Sequence, residues 1–346
     1  MTSNPLPLNI SRYGGCTLTG ALSVTTHVRD SVTIIHGPKG CTHHNFSLLH
    51  ATGFDNDHVS MPDLISTGLS ESDIIFGGEA ALERTLDAVA QRNIGAVFVL
   101  STCIVDTIGD DVAAICRRDH GVPVLAVPSG GFLGGTFQNG VNNALNALAD
   151  TAEPCTKGWC VNIIGEKNLE YEVEENYAEV SRLLTALGIS VNLRFVRDCS
   201  MTDITRLGAA RLNILRDEDL RPVGDRLHQR FATPFIPSFP VGLAGTISFL
   251  ESVADSFGVP HLQAVNDEKV LQEELLFEFQ DIAGTSIALD PALRDSDAFM
   301  LACEIADEID IKLNRDGCRV PLEVLPPVGT TGIMRMLHRW RRAIHA

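Results

Sequence analysis

Short, continuous apolar runs alternate with helical patterns along the whole sequence, and this alternation restricts the possible folds more than any other feature. Residues 32–35 (VTII) and 96–100 (AVFVL) are two such runs. Within 79–92, by contrast, Leu82, Leu86 and Val89 recur at helical spacing. Continuous apolar strands are typical of parallel sheets that are covered on both faces. The alternation therefore predicts an α/β protein built from doubly wound, Rossmann-like parallel sheets with right-handed crossovers.

The predicted elements fall into three groups. A break at 150–154 ends one helical pattern before a new strand, and a second break lies near 258–260. We therefore predict three α/β domains, 1–153, 154–262 and a short third domain, 263–346. The predicted strands are 32–36, 73–76, 96–102, 122–127, 159–164, 189–196, 210–215, 233–236, 286–289 and 319–325.

Composition excludes some classes of function. Asp and Glu number 44 against 27 Lys and Arg, a net charge of −17, which argues against nucleic acid as the main ligand. No apolar run approaches the ~18 residues of a membrane span, and no signal peptide is evident. We therefore expect a cytoplasmic protein with no membrane contact. The 9 cysteines then indicate thiols or metal ligands rather than disulfides.

Three of these cysteines lie where a parallel sheet would gather them. Cys41 and Cys103 each follow a predicted buried strand, and Cys16 follows a glycine pair. The carboxyl ends of parallel strands meet at one edge of the sheet, so these thiolates can converge. Soft sulfur ligands suit iron–sulfur clusters, zinc or copper. The spacing is far too wide for a zinc ribbon.

Other residues near these cysteines leave two interpretations open. His43 and His44 either deliver protons to a substrate or hydrogen-bond backbone on the helix after Cys41. The loop 129–135 lacks the ending of a phosphate loop and the spacing of a dinucleotide fingerprint, so no ATP site is predicted. Its glycines either let backbone approach a flat ligand or turn a strand into a helix. The ligand-binding residues under the first interpretation are Gly130, Gly131, Phe132 and Gly134.

An ordered series of short motifs resembles nitrogenase component 1 and its relatives. It covers almost the whole chain, and the order is more specific than any one motif. The motifs are GGCT at 14–17, HGPKGC at 36–41, LSESDIIFGGE at 69–79, STCIVDTIGDD at 101–111, SGGFLGG at 129–135, VNIIGE at 161–166 and PVGLAGT at 240–246.

The resemblance implies a redox function for the first domain. A 4Fe–4S cluster would be held by Cys16, Cys41 and Cys103, leaving one iron open. Electrons would come from a separate reductase similar to nitrogenase iron protein, which would carry the Mg-ATP. We expect the chain to pair as a homodimer with the clusters near the two-fold interface.

Departures from the family pattern narrow the substrate. The third domain is short, and no Cys and His pair matches the ligands of the iron–molybdenum cofactor. The short form resembles the catalytic component that reduces and cyclises Ni-sirohydrochlorin a,c-diamide, a nickel tetrapyrrole, on the way to the coenzyme of methanogenesis. The alternatives are a scaffold for metal-cluster assembly, a reductase of another tetrapyrrole, or a redox-silent tetrapyrrole-binding protein.

Overall fold

The computed structural model describes residues 15–56, 61–132 and 134–346. The chain forms two compact units. The larger contains the described residues of 15–173 together with 191–237, and the smaller contains 174–190 together with 238–346. Each unit is built around parallel sheet, so the predicted α/β class is confirmed.

The first sheet lies in the larger unit and has the strand order β2-β1-β3-β4, all parallel. One face of β1 and β3 packs on Leu82, Leu86 and Val89, the helical set predicted from the sequence. The other face belongs to a core shared with the helices Thr17–Thr25 and Phe137–Ala149. Both faces are covered, which explains why these strands are continuously apolar. The strands are β1 Ser31–His36, β2 Leu64–Ser66, β3 Ala96–Ser101 and β4 Val124–Val127.

The second sheet repeats the same order, β6-β5-β7-β8, within the larger unit. Its strands are β5 Cys160–Ile164, β6 Ser190–Phe195, β7 Leu212–Leu215 and β8 Phe235–Ile236. The helices of the larger unit are α1 Thr17–Thr25, α2 Lys39–Asp55, α3 Glu71–Phe76, α4 Glu79–Ala90, α5 Cys103–Ile108, α6 Val112–Cys116, α7 Phe137–Ala149, α9 Met201–Ile204 and α10 Arg221–Phe231.

The smaller unit holds a three-stranded parallel sheet of order β10-β9-β11. Its strands are β9 Ser286–Ala288, β10 Lys312–Leu313 and β11 Cys318–Arg319. The helices associated with this unit are α8 Val173–Ala186, α11 Gly242–Phe257, α12 Leu262–Glu278, α13 Asp297–Glu308 and α14 Gly329–Ile344. Trp340 of α14 is fully buried and donates its indole N–H to the Pro321 carbonyl at 3.0 Å.

A charged network fixes the start of α14. Glu179 and Glu268 are buried, and the guanidinium of Arg182 pairs with both at 2.8 Å. Glu179 also accepts a hydrogen bond from the backbone N–H of Thr331, while the Thr330 hydroxyl donates to Glu268 at 2.5 Å. Two buried carboxylates are thus compensated by one guanidinium and by donors at a helix N-terminus.

Helices α1 and α7 touch backbone to backbone. A Cβ atom built on Gly20 would lie 1.9 Å from the Phe137 carbonyl oxygen, and one built on Gly140 would lie 1.9 Å from the Thr17 carbonyl oxygen. Both helices pack on β1 and β3 through the same apolar core. The two glycines therefore set how closely α1, and with it Cys16 at its start, approaches α7.

Two predicted strands differ from the structure: of 319–325 only Arg319 lies in a strand, and 73–76 lie in no strand. Residues 73–76 belong to helix α3, although their apolar sequence suggested a strand. The Ser70 hydroxyl accepts from the Asp73 backbone, and the Asp73 carboxylate accepts from the Ser70 backbone, which forms a capping box. Gly77, at a φ of 101°, then ends the helix. The local capping outweighs the β preference of two isoleucines.

Candidate metal centre

The two strands that carry Cys41 and Cys103 lie side by side at the middle of the first sheet. His36, the last residue of β1, is in register with Ser101, the last residue of β3. Because β1 neighbours β2 on one side and β3 on the other, the crossovers leave in opposite directions here. Such a switch point opens a crevice at the carboxyl ends of the strands, where α/β proteins bind ligands.

Each of the three cysteines lies at the beginning of a helix. Cys16 is the N-cap of α1, Cys41 lies in the first turn of α2, and Cys103 is the first residue of α5. In none of these helices does a side chain cap the free backbone N–H groups. Helix N-termini carry partial positive charge, and their free N–H groups favour a bound anionic group. This shared position was not predicted from the sequence.

The thiols are close enough to influence one another. Burial raises the pKa of Cys41, and the negative charges of Cys16 and Cys103 raise that pKa further. In the described residues, no group of three or more His, Cys, Asp or Glu side chains is placed to hold a single metal ion. Ligands of a multi-iron cluster each bind a different iron and so lie further apart than ligands of one ion.

Backbone and hydroxyl donors surround the thiols and fit a sulfur-rich group. The Gly131 N–H donates to Cys103 Sγ at 3.4 Å, and the Thr19 hydroxyl lies 3.6 Å from Cys16 Sγ. Thr17 is 2% exposed, yet its hydroxyl has no partner among the described residues. Soft ligands, uncapped helix starts and a spare buried hydroxyl together match the needs of an anionic iron–sulfur cluster.

The glycine loop packs against these same elements. A Cβ atom on Gly130 would lie 1.5 Å from a carboxylate oxygen of Asp106, and one on Gly135 would lie 2.4 Å from the Thr17 hydroxyl oxygen. Gly134 adopts a φ of 97°. Phe132 is 77% exposed, and Leu133 lies outside the described residues. The assignment of Gly130, Gly131, Phe132 and Gly134 to a bound ligand stays a prediction.

The histidines around Cys41 have different environments. His36 is fully buried, with Nδ1 3.0 Å from the Thr67 hydroxyl and Nε2 3.1 Å from an oxygen of Asp110. Burial lowers the pKa of His36, although Asp110 opposes this shift. His43 and His44 are exposed on α2, two and three positions after Cys41. Their role in proton delivery stays a prediction.

The carboxylates after Cys103 do different jobs. Asp111 caps α6 by accepting a hydrogen bond from the Ala114 backbone N–H. Asp110 accepts instead from the backbone N–H of Gly78, with both its oxygens, and contacts His36. Because Asp110 joins the start of α4 to the end of β1, it supports the loop that leads to Cys41.

Two of the remaining cysteines are buried thiols. Burial raises the pKa of Cys116 to about 11 and that of Cys199 to about 12. Cys155 is exposed and Cys160 half-buried, on either side of Lys157. The Lys157 ammonium donates to the carbonyls of Gly208 and Ala210, each at 3.0 Å, so it is occupied in fastening this segment.

The family is decided by a match that runs from residue 16 to residue 339. These residues match the family described as nitrogenase component 1 type oxidoreductase. The chain belongs to the nitrogenase component 1 family. This family, which the motif order predicted, is described as an oxidoreductase family, and its association with iron–sulfur clusters agrees with the chemistry of the three thiols.

Curated relatives include proteins of cofactor assembly and of nitrogenase itself. The iron-molybdenum cofactor biosynthesis protein NifE of Nostoc sp. is 31% identical over 75% of this chain and 55% of its own length. NifE of Clostridium pasteurianum is 30% identical, over 76% and 58%. The nitrogenase molybdenum-iron protein alpha chain of Methanothermobacter marburgensis is 28% identical, over 75% and 58%. The chain thus spans little more than half the length of these relatives.

Solved structures support the fold. Nitrogenase Cp1 at pH 5 superposes with a TM-score of 0.68, at 20% identity, and covers 90% of this chain and 65% of that one. The component 1 fold is therefore confirmed. Among the described residues, no helix is both long and apolar enough to cross a membrane.

Proposed function

We propose that this chain binds a 4Fe–4S cluster through Cys16, Cys41 and Cys103 and takes part in electron transfer. The proposal is supported by three thiols, each at an uncapped helix start, of which Cys16 and Cys103 lie close enough to Cys41 to raise its pKa. When bound, such a cluster supplies one-electron redox chemistry. The three cysteines would hold it by sulfur, and backbone N–H groups at the helix starts would donate to it.

Iron loading tests the cluster directly. Anaerobically purified protein should contain about four irons and four sulfides per cluster. Changing Cys16, Cys41 or Cys103 to Ala should remove or strongly reduce that iron. Cys116→Ala is the matched control, because Cys116 is a buried thiol in the same unit that lies in the core between α4 and the sheet. Full iron content in all three ligand variants would sink the proposal.

We further propose that a separate ATP-hydrolysing reductase, similar to nitrogenase iron protein, supplies the electrons. An exposed apolar pair favours a protein contact near the site: Ile75 is 73% exposed and Phe76 is 85% exposed at the end of α3. Mg-ATP belongs to that partner. Alone, this chain should hydrolyse no ATP, whereas Ile75→Glu with Phe76→Glu should weaken reductase-dependent reduction and leave iron content unchanged.

Two uses of the cluster follow from different observations. Similarity to two proteins named for iron-molybdenum cofactor biosynthesis favours a scaffold on which a metal cofactor is assembled. The motif resemblance retains the second candidate, reduction and ring closure of Ni-sirohydrochlorin a,c-diamide. A scaffold passes its cluster to an acceptor protein, whereas a reductase retains it and turns over the tetrapyrrole. Incubating the loaded protein with an apo-acceptor, and separately with the nickel tetrapyrrole and the reductase, distinguishes the two.

Only the second candidate, reduction of the nickel tetrapyrrole, requires a proton donor. Ring reduction consumes protons as well as electrons, and a histidine is suited to deliver them near neutral pH. His43 and His44 lie on the helix that begins beside Cys41, and both side chains are exposed. Replacing the one that faces the substrate by Ala should slow product formation without altering the visible spectrum of the cluster. Unchanged rates in both variants would exclude this route.

A further inference from the structure

One hydroxyl beside the metal centre lacks the partner that a buried polar group normally has. Thr17 follows Cys16 directly and is the first residue of α1. Its side chain is 2% exposed, and the hydroxyl oxygen has no hydrogen-bond partner among the described residues. Nearly all buried side-chain polar atoms in proteins are hydrogen-bonded, so this one calls for a partner that is not part of the described chain.

This hydroxyl lies next to the loop that contacts one of the three thiols. A Cβ atom on Gly131 would lie 2.8 Å from Thr17 Oγ1, and one on Gly135 would lie 2.4 Å from it. The Thr17 oxygen therefore occupies the space that a side chain at position 131 or 135 of the loop would need. The N–H of Gly131 donates to Cys103 Sγ at 3.4 Å. Thr17 thus lies between the helix that Cys16 begins and the loop that contacts Cys103.

The polar groups near Thr17 differ from it in their contacts. The hydroxyl of Thr19 already lies 3.6 Å from Cys16 Sγ. The amide N–H₂ of Asn45 donates to the Cys41 carbonyl at 2.8 Å, and its remaining oxygen can only accept. The Thr42 hydroxyl is also without a partner among the described residues, but Thr42 follows Cys41 on α2. Thr17 Oγ1, by contrast, is among the atoms nearest to Gly131 and Gly135 of the loop that contacts Cys103.

We propose that Thr17 is a positioning residue of the metal centre, whose buried O–H donates a hydrogen bond to a sulfur of the group held by Cys16, Cys41 and Cys103. This rests on the proposed cluster binding. Reduction adds negative charge to the sulfurs, so a donor bond stabilises the reduced state more than the oxidised state. The hydroxyl should therefore raise the reduction potential of the bound group.

The test is a redox titration of anaerobically purified protein, followed by absorption and electron paramagnetic resonance. Thr17→Val keeps the shape of the side chain and removes the donor, so the midpoint potential should become more negative. Thr17→Ser keeps the donor and should restore the wild-type potential. Thr25→Val is the control: Thr25 is a buried threonine at the far end of α1 that accepts from the Thr33 hydroxyl at 3.1 Å. Its loss should leave the potential unchanged.

The outcomes separate this proposal from the proposed function. An iron-loaded Thr17→Val protein with the wild-type potential would overturn the role of Thr17 and leave cluster binding intact. A wild-type protein that binds no iron would overturn cluster binding itself, and this proposal with it. If Thr17→Val does not fold, Thr17→Ala removes the same hydroxyl without any risk of overpacking, and its potential decides the proposal in the same way.

Discussion

At the scale of single residues, His36, at the end of the strand that leads to Cys41, contacts two other segments. Its ring contacts the Thr67 hydroxyl on one side and Asp110 on the other, with no exposure to solvent. Asp110 in turn holds the backbone N–H of Gly78. A histidine placed in this way works best as a neutral ring, because burial disfavours the imidazolium form.

His36 should make stability depend on pH in a defined direction. Its folded-state pKa lies below the usual 6.5, so below that value the unfolded chain binds the proton more readily. The contribution of neutral His36 to the free energy of unfolding is present above about pH 6.5. It is lost as pH falls below that value, by up to about 1.4 kcal/mol per pH unit. Urea unfolding at about pH 7.5 and 5.5 should show that the free energy of unfolding falls less between the two pH values in His36→Gln than in the wild type. An equal loss in both proteins would contradict this.

The cysteines should divide by reactivity in the iron-free protein. Burial raises the pKa of Cys199 to about 12 and that of Cys116 to about 11, so almost no thiolate is present at neutral pH. Cys16 and Cys155 are exposed. Mild alkylation followed by peptide mass spectrometry should label Cys16 and Cys155 first. Labelling of Cys199 as fast as Cys155 would show that the buried site opens readily.

At the scale of elements, strand ends were predictable and helix contacts were not. The runs 32–36 and 96–102 matched β1 and β3 within a residue, because fully buried parallel strands are continuously apolar. The predicted positions of Cys41 and Cys103 just after these strands follow from that. Strands of three and two residues, β2 and β10, were missed because so short a run has no readable period.

Nothing in the sequence signalled that α1 and α7 meet through Gly20 and Gly140. These glycines lie far apart in the chain, and each alone resembles an ordinary weak point in a helix. Similarly, the partnerless hydroxyl of Thr17 depends on a loop that folds back over it. Contacts of this kind arise from tertiary packing, so the geometry around the thiols required the structure.

The helix contact makes a strong prediction for Gly140. Gly140→Ala would place a methyl group against the Thr17 carbonyl, so we expect a loss of at least about 1–3 kcal/mol in the free energy of unfolding. A methyl group added at Gly245, inside α11, would meet nothing within 4 Å, and Gly245→Ala should stabilise its helix by up to about 1 kcal/mol. Calorimetry of both variants checks this contrast, and equal shifts would refute it.

At the scale of the whole molecule, we expect the chain to work as a symmetric pair. Three cysteines leave one position of a 4Fe–4S cluster without a ligand from this chain, and a second copy can cover or complete it. The particle should have twice the 37.4 kDa mass of one chain. Light scattering of the iron-loaded protein measures this. A fully loaded, redox-active particle with the mass of a single chain would contradict the expectation.

The described part of the smaller unit is assembled from two stretches of chain that are not consecutive, 174–190 and 238–346. Its ion network joins Arg182 to Glu268, which the ribosome adds 86 residues later. At roughly 5–20 residues per second, that interval lasts about 4–17 seconds. During this interval helix α8 exists without the Glu268 carboxylate and without the start of α14, which later contact its charged side chains. A nascent chain halted before residue 268 would therefore present this segment in an unfinished state to chaperones and proteases.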